Sequence, residues 1–264
     1  MTKQDCRLVA QQNELRILKM LFKFGFLRTR DIAALCWMPA RTMPPGGDFN
    51  LQPVAITASA LRMAQITLRR LNQNRLVYSH TAPDSSLIYG LSEAGARMLQ
   101  GFGIPASSGA DWLRRFSPNQ YHHRRISNEI AVCSMLLGYR VASEREIATG
   151  QWYGGMAGIN GKKPDVLIRS SKCAWWVEVE RSQKTKSEYA KLVSTLDVFW
   201  PGGKHTCMIG NQVLSQFVFV SNQAFIARLK GDLKKLGWDE QQIFLRIFGI
   251  SSLYVSEVKF LKKQ

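Results

Sequence analysis

Lys163-Pro164-Asp165-Val166-Leu167-Ile168-Arg169 and, after the polar turn Ser170-Ser171-Lys172, Cys173-Ala174-Trp175-Trp176-Val177-Glu178-Val179-Glu180-Arg181 decide how this chain is read. Side chains alternate faces along a strand, so the two runs are expected to form a β-hairpin with Val166, Ile168, Trp175, Val177 and Val179 on the face that packs on a core. A reversal centred on Ser171-Lys172 sets Asp165 opposite Glu178, and the two-residue period carries Glu180 onto the Glu178 face, opposite the valines. Three carboxylates converging there would raise one another's pKa, and a hard divalent cation with oxygen ligands resolves the repulsion. The competing reading is a solvated strand face on which Lys163, Arg169 or Arg181 neutralises the acids.

The rest of the chain supplies a setting for that cluster. Its 264 residues suffice for one large domain or two modest ones, and 45% hydrophobic content argues for globular folding. A net charge of +17 and a pI near 10 point to a polyanionic partner, nucleic acid first. The excess is spread: residues 1–110 carry 13 Lys/Arg against 6 Asp/Glu, and residues 111–264 carry 23 against 13. Five cysteines without a Cys-x-x-Cys pair indicate neither a disulfide framework nor a zinc ribbon. No apolar run is long enough to span a bilayer and the start lacks a signal-peptide core, so a cytoplasmic protein without membrane insertion is expected.

Residues 1–110 read as a DNA-binding domain. Leu15, Leu18, Leu21 and Phe22 recur at helical spacing between Gln11 and Phe24, and a second helix over Leu27–Trp37 takes Thr29 as its N-cap. A proline- and glycine-rich loop over Pro39–Pro53 leads to a third helix over Thr57–Asn74, with Leu61, Ile66, Leu68 and Leu71 apolar and Arg62, Gln65, Arg69 and Arg70 polar. Strands at Leu76–His80 and Leu87–Leu91 flank a turn, and a helix opens at Ser92. This order predicts a winged helix-turn-helix whose third helix enters the major groove, Arg62, Gln65, Arg69 and Arg70 meeting base edges or phosphates, and the hairpin tip near Ser85-Ser86 touching the backbone. A solvated helix face is the alternative. Gly101–Ser117 reads as a linker, placing a domain boundary near residue 110.

Residues 111–264 read as an α/β domain with a mixed sheet. Tyr121–Leu137 is helical, and Glu129 at the edge of its apolar stripe is either a boundary residue or a fourth acid leaning toward the strand cluster. After the hairpin come a helix over Lys186–Phe199, a strand at Gln216–Ser221, a helix over Gln223–Leu236 and a strand at Ile243–Phe248.

Pro164-Asp165, the hairpin, Glu178-Val179-Glu180 and Glu129 on the preceding helix resemble the PD-(D/E)xK nuclease superfamily, with Glu180 standing where that motif has Lys. Tyr89-x-Leu91-Ser92-x-x-Gly95, His123 six positions before Glu129, and Glu178-Val179-Glu180-Arg181-Ser182 are similar to the replication-relaxation family, in its branch of MobC-type (MOBC) mobilisation relaxases, over roughly residues 10–220. The resemblance implies a restriction-endonuclease-like α/β fold after the winged helix, and metal-dependent, strand-specific nicking at a transfer origin to start plasmid or integrative-element mobilisation. It implies that Asp165 and Glu178 hold Mg²⁺ or Mn²⁺, that Glu129 completes the shell, and that Glu180 ligates metal or accepts a proton. Lys162, Lys163, Arg181, Lys184 and Lys186 would contact phosphates. The implied partners are double-stranded DNA of the transfer origin, a relaxosome accessory protein and a coupling protein. The alternatives are a catalytically inactive, nuclease-like DNA-binding accessory or repressor, and a defence-type endonuclease that cuts both strands. The four histidines form no His-x-His, so a hydrolytic nick is favoured over a covalent intermediate, with Tyr121 and Tyr189 the tyrosines left open for covalent attack.

Overall fold

The computed structural model describes residues 6–44, 51, 54–114, 117–180, 184–199, 207–221, 223–238, 246–250 and 258–260. The chain divides into two compact units, Met1–Thr42 with Val54–Gly138 and Met43–Pro53 with Tyr139–Gln264.

In the first unit, helix α1 (Cys6–Phe24) buries Ile17, Leu18, Leu21 and Phe24 and stops at Gly25, whose φ of +80° lies in the left-handed region. Leu27–Arg28 form a short strand, β1, ahead of α2 (Thr29–Trp37). Arg28, not Thr29, is the N-cap: the Asp31 carboxylate accepts the Arg28 backbone N–H at 3.0 Å and its guanidinium at 2.9 and 2.8 Å. Helix α3 (Ala58–Gln73) starts where the sequence places it, with Thr57 Oγ1 accepting the Ala60 N–H at 3.2 Å. Its buried stripe is Ala60, Ala64, Thr67, Leu68 and Leu71. Ile66, expected inside, is 44% exposed beside Met63, because the stripe of small residues turns position 66 outward with Arg62, Gln65 and Arg69.

Strands β2 (Val77–Thr81) and β3 (Leu87–Leu91) pair antiparallel, and β1 adds to the other side of β3, giving the order β1-β3-β2. Ser92 caps α4 (Glu93–Gly101): its Oγ accepts the Gly95 N–H at 3.0 Å and donates to the Arg75 carbonyl at 2.7 Å. A Cβ on Gly95 would stand 2.2 Å from the Leu76 carbonyl oxygen and 2.8 Å from Leu91 Cδ1. That contact explains the Ser-x-x-Gly spacing physically, since the cap draws the helix start onto the Leu76 backbone. Alanine ordinarily stabilises a helix interior over glycine, but at this position overpacking should reverse the sign. Gly95→Ala is expected to cost about 1–3 kcal/mol in unfolding free energy, measured by denaturant titration.

The segment expected to be a linker is part of this unit. Gly109 N–H donates to the Leu91 carbonyl at 2.8 Å, α5 (Ala110–Arg114) sets Leu113 against Gly90, and Trp112 lies on Gly25. Helix α6 (Pro118–Leu136), capped by Ser117 and Gln120, also belongs here. Its Asn128 Nδ2 donates to the Phe26 carbonyl at 2.8 Å, and Tyr121 stacks on Phe26 with ring centroids 5.9 Å apart. The boundary therefore falls at Gly138–Tyr139 rather than near residue 110. Apolar packing by Leu113, Tyr121 and Ile126 outweighs the composition that reads as a spacer.

The second unit is a mixed sheet with helices on one face. Its strands are β4 (Arg140–Ala142), β5 (Val166–Arg169), β6 (Cys173–Val179), β7 (Met208–Ile209), β8 (Gln212–Val220), β9 (Arg246–Ile250) and β10 (Val258–Phe260). The order is β10-β9-β8-β6-β5-β4, with β7 pairing β8. Strands β6, β8 and β9 run parallel, while β5 pairs antiparallel with both β4 and β6. Parallel neighbours need crossovers, and α8 (Lys186–Phe199) and α9 (Gln223–Lys235) supply them. A short helix, α7 (Glu144–Ala148), follows β4 with Ser143 as its cap.

Leu167, Ala174, Trp176, Leu214, Phe217 and Phe219 from the sheet meet Tyr189, Leu196 and Phe199 of α8 and Ile226, Leu229 and Leu233 of α9 in one core. The face that the helices cover is thus the Trp176 face, not the valine face that the sequence assigned to the core. Val166, Ile168, Trp175, Val177 and Val179 are buried as well, so both faces are dry. Burial on both faces is why these strands read as near-continuous apolar runs rather than as strict alternation.

Candidate functional site

The β5–β6 register pairs Val166 with Val177 and Leu167 with Trp176, so Asp165 stands across from Glu178 as the turn length requires. Both lie on the helix-covered face, at the end where parallel β6 and β8 terminate and α8 begins. In open α/β sheets this end is where ligands are received. Asp165 N–H donates to the Val177 carbonyl at 3.0 Å, and Asp165 Oδ2 accepts the Val179 N–H at 2.7 Å, which fixes the carboxylate at the strand edge. Glu178 Oε1 accepts the indole N–H of Trp176 at 2.6 Å. Glu180 is buried; its N–H continues the ladder to the Val220 carbonyl at 2.9 Å, and its Oε1 meets Lys184 Nζ at 2.8 Å.

Electrostatics bind these groups into one unit. Burial pushes the Glu178 pKa well above the ordinary carboxylate range, and the negative charges of Asp165 and then Glu180 push it further. The Trp176 hydrogen bond and the Lys184 charge oppose that shift without cancelling it. Two partners were not anticipated from sequence, and each had a signal. Trp176 is two residues before Glu178 and so shares its face, and Lys184 lies four residues after Glu180. Among the described residues, no group of three or more His, Cys, Asp or Glu side chains stands in metal-ligating arrangement. The donor chemistry still suits a hard cation: Asp165 and Glu178 are oxygen donors directly opposite each other on paired strands.

The other expected site residues are distributed differently. Glu129 lies in the first unit, where Arg28 Nη2 donates to its Oε2 at 3.0 Å and to Asp31 Oδ1 at 2.8 Å, all three side chains being buried. Expected from the sequence as a boundary residue or a fourth acid, Glu129 takes part in a buried ion pair with Arg28. A buried guanidinium needs more than one carboxylate, and burial alone would lower the Arg28 pKa, whereas Asp31 and Glu129 together raise it. Arg62, Gln65 and Arg69 are exposed on α3, and Arg70 pairs with Glu14. Lys163 is half-buried, Lys186 is exposed, and Arg181 lies outside the described residues. Ser85, at the hairpin tip, adopts a φ of +63°. The tip is anchored within the first unit, where Asp84 accepts from Tyr121 Oη and Arg125 Nη1, each at 2.9 Å.

That anchoring bears on covalent attack. Tyr121 is fully buried, and its phenol is pushed up to about 12 by burial first. Tyr189 is buried too, donates to Asp232 Oδ2 at 2.9 Å, and is likewise pushed up to about 12. Both hydroxyls are held as neutral donors, the opposite of what a nucleophile needs.

No helix among the described residues is long and apolar enough to cross a membrane. A family model described as replication-relaxation matches residues 49–210, more than half of the chain. No curated protein matches. No solved structure does either.

Proposed function

This chain belongs to the replication-relaxation family, whose description suggests a role in DNA replication or mobilisation, and from that premise we propose that it is a site- and strand-specific, metal-dependent DNA nickase acting at a transfer origin. The observation that carries this reading is Asp165 set across from Glu178, whose pKa is raised first by burial and then by the charges of Asp165 and Glu180. Asp165 and Glu178 hold Mg²⁺ or Mn²⁺, and such a cation, when bound, supplies Lewis-acid polarisation of the scissile phosphate. The Val179 N–H orients Asp165, and the Trp176 indole orients Glu178. Glu180, buried against Lys184, accepts the proton of the attacking water and becomes the neutral acid, which leaves Lys184 as the positive charge beside it. Lys163 and Lys186 contact the flanking phosphates.

The first unit supplies the address. Its order of three helices, a hairpin and a capped helix, with β1 completing the small sheet, supports a winged helix-turn-helix reading. Arg62, Gln65 and Arg69 face outward from α3 and meet base edges and phosphates in the major groove.

One observation favours a second reading, that of a DNA-binding accessory without catalysis. Glu180 stands where the nuclease motif has Lys, and its carboxylate is already engaged by Lys184. Supercoiled plasmid carrying the element's transfer region, incubated with Mg²⁺ or Mn²⁺, separates the two. Open circles from the parent and none from Asp165→Ala are expected of a nickase. Binding without cutting by both proteins, with the element's other transfer proteins present, would leave the accessory reading.

A further inference from the structure

We propose that the end of the β5–β6 face remote from the carboxylates binds single-stranded DNA, with Arg140 and Arg169 receiving a backbone phosphate and Tyr153 receiving an unpaired base. The inference rests on the DNA-acting reading above and adds a second nucleic-acid site to it.

Arg140 of β4 is the direct cross-strand partner of Arg169 of β5. Cross-strand partners share a face, so two guanidinium groups stand side by side, an arrangement that destabilises a sheet unless something anionic occupies it. Among the described residues neither arginine has a carboxylate partner. Arg169 Nε is buried without a hydrogen-bond partner, while Arg140 is exposed. The Arg169 guanidinium lies over the Tyr153 ring, 4.4 Å from its centroid. Tyr153 is nevertheless 53% exposed. The ring is fixed from a second direction by Gly210, at φ +63°, where a Cβ would stand 2.7 Å from Tyr153 Cε1. Exposed Lys172, in the adjoining turn, adds a third positive charge.

A fixed, exposed aromatic ring beside paired cations suits a nucleotide whose base is out of the duplex. A paired base hides its faces in the stack, whereas an unpaired one stacks on the ring whatever its identity, and its phosphate lies within reach of the arginines. Strand opening around a nick yields such bases.

The test uses the full-length protein and fluorescence anisotropy with a labelled oligothymidylate of about 15 nucleotides, a length that covers one such site, and with a duplex of equal length over a salt series. Arg140→Gln/Arg169→Gln should weaken oligothymidylate binding about tenfold and make the salt dependence shallower by about 0.7 for each phosphate no longer neutralised. Tyr153→Leu should weaken it about tenfold with the salt slope unchanged. Duplex affinity should hold in both. Arg140→Gln alone guards against misfolding: it removes an exposed like-charge neighbour, so its melting temperature should match or exceed that of the parent while its salt slope falls. Unchanged oligothymidylate binding, or parallel losses on duplex and single strand, would overturn the proposal. Arg69→Ala serves as the separate control. If it abolishes duplex binding while the Arg140/Arg169 variant changes nothing, this site fails and the DNA-acting reading stands; if the parent binds neither probe, both fail.

Discussion

Glu178→Gln is expected to slow plasmid nicking by about 10²–10³-fold, the scale seen when one electrostatic group is removed from a catalytic site, while stabilising the protein above neutral pH. Burial, Asp165 and Glu180 raise the folded-state pKa of Glu178 above its ordinary value of 4.5. The folded protein therefore holds that proton longer than the unfolded chain does. The stability linked to it is fully present below about pH 4.5 and is lost as pH rises through the folded-state pKa. Gln resembles the protonated form and escapes that loss, so its gain in melting temperature should be visible at pH 8 and absent near pH 4. Mg²⁺ or Mn²⁺ should raise the melting temperature of the parent at pH 8, by favouring the ionised form, and leave that of Glu178→Gln unmoved. This readout is independent of cleavage. A Gln variant that nicks as fast as the parent would remove Glu178 from the chemistry, and a parent indifferent to both metals would remove the cation.

Glu129→Ala is expected to destabilise the protein by about 3–5 kcal/mol, the cost of leaving one member of a buried ion pair without its partner. Arg28 would keep Asp31 but lose the acceptor at 3.0 Å on α6, and with it a tie between α6 and the strand that caps α2. Glu129→Gln keeps a carbonyl acceptor in place and should cost less, about 1–3 kcal/mol. Denaturant unfolding measures both. The same variants, scored for nicking per folded molecule, decide what Glu129 does: unchanged cleavage in a destabilised protein marks a structural residue. A variant as stable as the parent that no longer cuts would return Glu129 to the carboxylate cluster, where the sequence motif alone would place it.

How much of the candidate site could be read in advance depended on how local its causes are. The pairing of Asp165 with Glu178 follows from a turn centred on Ser171-Lys172 and the two-residue period, and both are properties of one short, continuous stretch of chain. The span of α3 was equally legible, because Leu61, Leu68 and Leu71 repeat at helical spacing within one continuous stretch. Ile66 was misplaced inward because a hydrophobic count ignores Ala60 and Ala64, the small residues that α3 turns to its neighbours. The start of α2 was misplaced by one residue because Thr is a common cap, whereas here Asp31 reaches back to Arg28.

Sequence alone therefore determined the hairpin, its register, the convergence of Asp165 with Glu178 and the basic outer face of α3, since each rests on periodicity and on turns closed by neighbours. Only the tertiary structure decided that α6 and the Gly101–Ser117 segment fold with the first unit, because Leu113 and Tyr121 find apolar partners many residues away. It decided that Glu129 answers Arg28, a pairing across 101 residues that no local pattern encodes. It also decided that α8 and α9 cover the Trp176 face, because parallel β6, β8 and β9 need crossovers of one hand and so set both helices on the same side of the sheet.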